Sequence, residues 1–145
     1  MDDGLHTWTG PVPVHRRTRV AQLLQDALGG STAAAALDLV ASLPAVVLCI
    51  DDEPVAAAIG RETEGGFVIE AIAVERARRG SGLGRRLLEE VSRVGGHRWI
   101  EAETDRDSVQ FYRRCGFAIT SLGEKYPGVE RFRCTRVLPE PRQSS

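Results

Sequence analysis

The chain has little net charge, no long apolar run and no even set of cysteines, and each shortage removes a class of function. Its 19 Lys+Arg face 20 Asp+Glu, a formal net charge of −1. No global field therefore favours nucleic acid or an anionic membrane. No apolar stretch reaches the about 18 residues that a membrane span requires. The opening residues, MDDGLHTWTGPVP, are acidic and hold no apolar h-region, so no secretory signal is expected. Cys49, Cys115 and Cys134 are odd in number and scattered, which predicts reduced thiols in a cytoplasmic protein. His6, His15 and His97 show no metal-ligand spacing among themselves or with the cysteines, so no metal is expected. Trp8 and Trp99 read as packing, and no aromatic array offers a platform for single-stranded nucleic acid. No repeat, low-complexity block or linker interrupts the 145 residues. They fit one domain over 1–145, with loose ends at about 1–6 and 138–145.

What is present is a changing periodicity. Val20, Leu23, Leu24, Ala27 and Leu28 form the stripe of an amphipathic helix ended by Gly29-Gly30. Ser31 or Thr32 caps a second helix with Ala36, Leu37, Val40 and Leu43 inward and Pro44 as the stop. AVVLCI and VAAAIG read as a hairpin around DDEP, RETEGG turns again, and FVIEAIAV is the strongest strand. A helix follows with Leu83, Leu87, Leu88, Val91 and Val94 on one face, and HRWIEAE is a strand. TDRDSVQFYRRC is a helix capped by Thr104 or Asp105 and closed by Gly116. FAITSL and RFRCTRVL are strands joined by the loop GEKYPGVE. The order ααβββαβαββ predicts an α/β or α+β sandwich, a mixed sheet with helices on its faces.

The most specific stretch is VERARRGSGLGRRLLEEV, residues 74–91. A dinucleotide fingerprint G-x-G-x-x-G fails there twice. From Gly80 the third glycine should be residue 85, which is Arg85; from Gly82 it should be residue 87, which is Leu87. A P-loop fails because no lysine follows. The physics shared by both motifs remains. Glycines let successive N–H groups turn toward one point, a helix N-terminus adds positive potential, and Arg76, Arg78, Arg79, Arg85 and Arg86 add charge. A phosphate or diphosphate is the natural guest; the bland alternative is a capped turn with a solvated basic face.

Arg79-x-x-Gly82-x-Gly84 resembles the [QR]-x-x-G-x-[GA] motif of the GNAT (Gcn5-related) N-acetyltransferases, and Phe111-Tyr112 with Gly116-Phe117 resembles that family's later FY…GF signature. The resemblance covers most of the chain and is most specific over 67–117. It implies a mixed, mostly antiparallel sheet whose fourth and fifth strands splay apart, with helices on both faces. It places the family's first strand near HTWTGPVPV, where two prolines predict a weak or absent strand.

The resemblance implies acetyl-CoA as acyl donor. Ile72, Ala73 and Val74 would pair with its pantetheine arm, Arg79, Gly80, Ser81, Gly82, Leu83, Gly84 and Arg85 would wrap its diphosphate, and Ser108, Phe111 and Tyr112 would line it. Tyr112 is the expected general acid, since a phenol stays protonated at neutral pH and can donate as sulfur leaves. Asp105 stands where many relatives carry a cofactor-touching asparagine; a carboxylate suits an anionic ligand poorly, so capping is its expected role. An amine must lose a proton before it attacks. The candidate bases are Glu70, then Glu101, then Glu103, each of which could instead be paired with an arginine or solvated. The expected activity is acetyl transfer to a small-molecule or peptide amine by direct attack, with no nucleic-acid or membrane partner. The alternative is a coenzyme A-binding sensor or structural protein that does not turn over. A homodimer could form by pairing along the last strand, residues 131–137.

Overall fold

The computed structural model describes residues 5–28 and 32–139. Leu5–Gly10 is strand β1, antiparallel to β2 (Ala45–Ile50) from Leu5↔Ile50 to Gly10↔Ala45. The first strand is therefore fully formed, against expectation. Its extended run closes at Gly10, so Pro11 and Pro13 follow it and leave its ladder intact. Helix α1 is Arg17–Leu24, with Val20, Ala21 and Leu24 buried. The α-helix stops before the apolar stripe does. Asp26–Leu28 is a 3-10 turn and Ala27 is exposed. The expected stop at Gly29-Gly30 and the candidate cap Ser31 lie outside the described residues. Thr32 caps α2 (Ala33–Ser42): its Oγ1 accepts from the Ala35 N–H at 3.1 Å. Ala36 and Val40 are buried, and Leu39 and Leu43 pack beside them. Leu37, expected inside, is 38% exposed, because it lies one step around the helix from the Ala36–Val40 row.

Asp51 and Asp52 make the β2–β3 turn, at φ 51° and 70°, between paired Ile50 and Glu53. A two-residue hairpin loop wants both central residues left-handed, a region aspartate tolerates better than most. Strand β3 (Glu53–Thr63) runs further than expected. The turn read over RETEGG shrinks to Glu64 and Gly65, the latter at φ 80°, before β4 (Gly66–Val74). The remaining elements are α3 (Leu83–Arg93), β5 (Trp99–Asp105), α4 (Val109–Arg114), β6 (Ala118–Tyr126) and β7 (Val129–Val137). The hydrogen-bonded strand order is β1-β2-β3-β4-β5-β7-β6. The pairings are antiparallel for β1–β2, β2–β3, β5–β7 and β6–β7, and parallel for β4–β5. The expected mixed, mostly antiparallel sheet is thus present.

The residues gather into two compact units, Met1–Arg61 with Glu70–Val94, and Glu62–Ile69 with Gly95–Ser145. In the first, Val12, Val20, Ala21, Leu24, Ala36 and Val40 bury against Ala45, Val47, Cys49, Ala57, Ile59 and Ala71. Helix α3 packs on β2 and buries Leu87, Leu88 and Val91. With helices on both sides, β2 is buried along almost its whole length. Each large side chain removed from water there contributes about 1.5–3 kcal/mol.

In the second unit, Ile100, Ala102 and Thr104 alternate inward on β5 with Cys134, Val109, Tyr112 and Phe117 also buried, while Glu101, Glu103 and Asp105 are more open. The helix expected from Thr104 begins only at Val109. Thr104 and Asp105 are held in the β5–β7 ladder, paired to Phe132 and Arg131. Asp105 Oδ1 accepts the Ser108 N–H at 3.1 Å, so the carboxylate caps the turn that leads into α4. Gly116, at φ 88°, closes α4 as expected: its N–H donates to Arg113 O and the Phe117 N–H to Tyr112 O, both at 3.1 Å. The expected loop GEKYPGVE is mostly strand. Tyr126 pairs with Val129, which leaves only Pro127 and Gly128 (φ 79°) to turn. Strand β7 lies between β5 and β6, so residues 131–137 offer no edge for a second copy, and that route to a homodimer is excluded.

The parallel β4–β5 ladder opens at Gly66↔Trp99, and the Trp99 indole lies over Gly66 so closely that a Cβ there would stand 2.1 Å from it. Gly66→Ala should lower stability by about 1–3 kcal/mol, read from the urea midpoint. Pairing it with Trp99→Ala should recover part of that loss. A variant as stable as the parent would show that the indole moves aside freely.

Candidate functional site

Strand β4 hands the chain to a turn built for exposed main chain. Its ladder with β5 runs from Gly66↔Trp99 to Ile69↔Ala102. Beyond it, Ile72, Ala73 and Val74 are half-buried in the first unit. The Glu75 N–H donates to Val55 O at 2.7 Å and fixes the strand's end to β3. Arg76–Arg78 is a 3-10 turn, Arg79 is extended, and Gly80 and Gly82 are left-handed at φ 81° and 88°. Gly82 is the N-cap of α3, and its carbonyl accepts the Arg86 N–H at 3.0 Å.

The N-cap residue itself makes no side-chain capping bond. The first N–H groups of a helix have no partner within it and carry its positive end. Here they open beside the exposed Gly80, Ser81 and Gly82, and a Cβ at Gly80 or Gly82 would meet no atom within 4 Å. Ser81 Oγ donates to Arg78 O, and Arg79 Nε to Val74 O at 3.3 Å, so the turn braces itself. Main-chain donors, a helix terminus and open space fit a diphosphate.

The guanidiniums contribute less than their number suggests. Arg78 Nε meets Glu75 at 2.9 Å, Arg86 Nε meets Glu90 at 3.2 Å, and Arg76 meets Asp26 at 3.8 Å. What the turn leaves open is therefore its backbone more than these paired guanidiniums. Glu75 is the residue that sequence reasoning passed over. Its carboxylate meets Arg19 of α1 at 2.8 Å as well as Arg78. The local signal was an acid three residues before Arg78 in an otherwise basic run.

Glu70 lies on β4, exposed, with Oε1 2.6 Å from Arg61 Nε. Alternation puts it on one face with Ile72 and Val74, while Ile69 and Ala71 bury on the other. The remaining candidates stand in the second unit. Glu101 is 3.6 Å from Arg133. Glu103 lies 3.0 Å from Lys125 and 3.5 Å from Arg131. Its hydrogen bond with Lys125, ahead of the Arg131 charge, holds its carboxyl below the usual range, which weakens it as a base.

Tyr112 is 4% exposed, edge-on to Phe111 (ring centroids 5.2 Å apart) and to Phe117 (5.4 Å). Burial, and then the neighbouring Cys134 and Cys115 thiols, push its phenol well above the ordinary tyrosine range. Ser108 is the N-cap of α4 but makes no side-chain capping bond. Cys134 is buried and its thiol is pushed up to about 11; burial also raises Cys49, partly offset by Arg16. Neither is poised as a thiolate. Among the described residues no His, Cys, Asp and Glu group could hold a metal ion, and no helix is long and apolar enough to cross a membrane.

Residues 41–119 match the family model of the acetyltransferase (GNAT) domain. Among solved structures, a GNAT-family chain from Desulfovibrio desulfuricans is 26% identical with a TM-score of 0.76, covering 92% of this chain and 98% of that one. The ribosomal-protein-S18-alanine N-acetyltransferase of Escherichia coli is 17% identical with a TM-score of 0.74, covering 96% and 97%. The Salmonella typhimurium protein yncA, solved with its cofactor acetyl-CoA, is 15% identical with a TM-score of 0.71, covering 97% of each chain. No curated protein sequence matches the chain significantly.

The buried phenol can be read directly. In a Tyr126→Phe variant Tyr112 is the remaining tyrosine. Its phenolate absorbance should stay low at about pH 10, where half of a free phenol is ionised. Because folding raises this pKa, the stability linked to it is complete below about pH 10 and declines as pH rises toward the folded value. Half-ionisation near pH 10 in the folded protein would contradict the burial of Tyr112.

Proposed function

The chain belongs to the GNAT acetyltransferase family, and on that premise we propose that it moves an acetyl group from acetyl-CoA to a primary amine by direct attack. The observation that carries the reading is the uncapped N-terminus of α3, reached through left-handed Gly80 and Gly82 soon after β4 ends. The main-chain N–H groups from Gly80 to Arg85 would hold the diphosphate. The backbone of Ile72, Ala73 and Val74 would pair with the pantetheine arm as an added strand. When bound, the thioester supplies an acyl group activated toward an amine.

The side chains divide the proton work. Tyr112 keeps its proton across the physiological range and would donate it to the departing sulfur. Glu70 would accept the amine's proton, directly or through water. Its pairing with Arg61 holds the carboxyl group on the more open face of β4. Glu101 is the alternative base. Holding donor and amine in register would supply much of the acceleration. The buried Cys49 and Cys134 favour direct attack over an acyl-cysteine. The acetyl-CoA bound in yncA and the alanine acceptor in the Escherichia coli enzyme's name support the class of donor and acceptor.

A panel of amines with acetyl-CoA, followed by free thiol release, tests the activity. Coenzyme A that binds without thiol release from any amine would favour the non-catalytic alternative. With an active amine, Tyr112→Phe should lower kcat by about 10²-fold or more and leave coenzyme A affinity nearly unchanged. The wild-type rate should show no descending limb from Tyr112 below about pH 10. A variant with unaltered kcat would remove the phenol from the mechanism.

A further inference from the structure

The donor turn is tied to helix α1 through one carboxylate, and the sign of its effect can be tested. Glu75 Oε1 accepts from Arg19 on α1 at 2.8 Å, and Oε2 accepts from Arg78 in the 3-10 turn at 2.9 Å. Its own N–H is bound to Val55 O on β3 at 2.7 Å. One residue thus joins a strand, a helix and the entry of the turn. A second, looser tie runs in parallel, from Arg76 in the turn to Asp26 just after α1 at 3.8 Å. Both Arg19 and Glu75 are about two-thirds covered, at 34% and 32% side-chain exposure. Their attraction is less screened than a fully exposed pair's.

A carboxylate beside an anion-binding turn is electrostatically unfavourable to the anion. It repels the guest, and it occupies two guanidiniums that could have faced it. Its presence there is explained if its contribution is geometric. We propose that Glu75 is a positioning residue: by gripping Arg19 and Arg78 together, it sets the path of the turn, so that donor affinity depends on helix α1. The inference rests on the acetyltransferase reading of the turn and adds a residue to it. Fixing the chain at Glu75 limits the conformations available to residues 76–82, so the main-chain donors at the start of α3 converge before a ligand arrives.

Coenzyme A binding to the full chain, measured by calorimetry for wild type, E75Q, R19Q and the double variant, separates the possibilities. Loss of the brace predicts that E75Q binds coenzyme A roughly fivefold or more weakly. R19Q, which removes the α1 guanidinium that Glu75 grips, should show a comparable loss. The double variant should lose no more than the worse single one, because both remove the same link. If Glu75 acted by charge alone, E75Q would bind more tightly, and that result would overturn the proposal. So would equal affinities, or losses that add. Urea midpoints taken in parallel report any loss of folding, and R19Q carries the test if E75Q does not fold. A wild-type chain that fails to bind coenzyme A would defeat the acetyltransferase reading and this inference with it. A wild-type chain that binds, with E75Q unchanged, would defeat this inference alone.

Discussion

The parallel ladder between β4 and β5 begins at Gly66↔Trp99 and is finished at Ile69↔Ala102. The proposed chemistry depends on the main chain that follows it. A strand buried among others must place its N–H and C=O groups somewhere. After Val74 the turn leads into a helix start whose N-cap, Gly82, makes no side-chain capping bond. The indole of Trp99 over Gly66 fixes where the ladder starts, and the Glu75 N–H on Val55 fixes where β4 ends.

Charge is distributed to suit this backbone. The turn is rich in arginine, yet Arg76, Arg78 and Arg86 each meet a carboxylate. The open side of β5 and β7 follows the same rule, with Glu101 facing Arg133 and Glu103 shared by Lys125 and Arg131. Such exposed pairs contribute little stability singly, about 0–1 kcal/mol. They hold long side chains in place and leave the peptide dipoles at the start of α3 open.

Local periodicity and local turn chemistry were legible in the sequence. The alternation of FVIEAIAV, the helical face of α3, the cap at Thr32 and the closing Gly116 all lie within a few residues of the features they determine. The glycine spacing after β4 marks the turn. What was misread depended on distant partners. Thr104 and Asp105 favour a helix cap locally, but their pairing with Phe132 and Arg131 keeps them in a strand. β1 looked doubtful beside its prolines, and its partner β2 lies far along the chain. Glu75 was invisible as a brace because Arg19 is 56 positions away. Ala27 and Leu37 fit a periodic stripe and yet face outward, since a stripe shows what could be buried and not where the neighbouring layer ends.

The edge strand β6 slips register after Ser121 and again after Glu124. Each slip bends the strand and throws its free amides and carbonyls out of step. A foreign strand laid alongside would find the correct spacing only over short stretches of the 9 residues. Amyloid-like stacking, which needs a long flat template, is thus discouraged by the same irregularities that shape the hairpin.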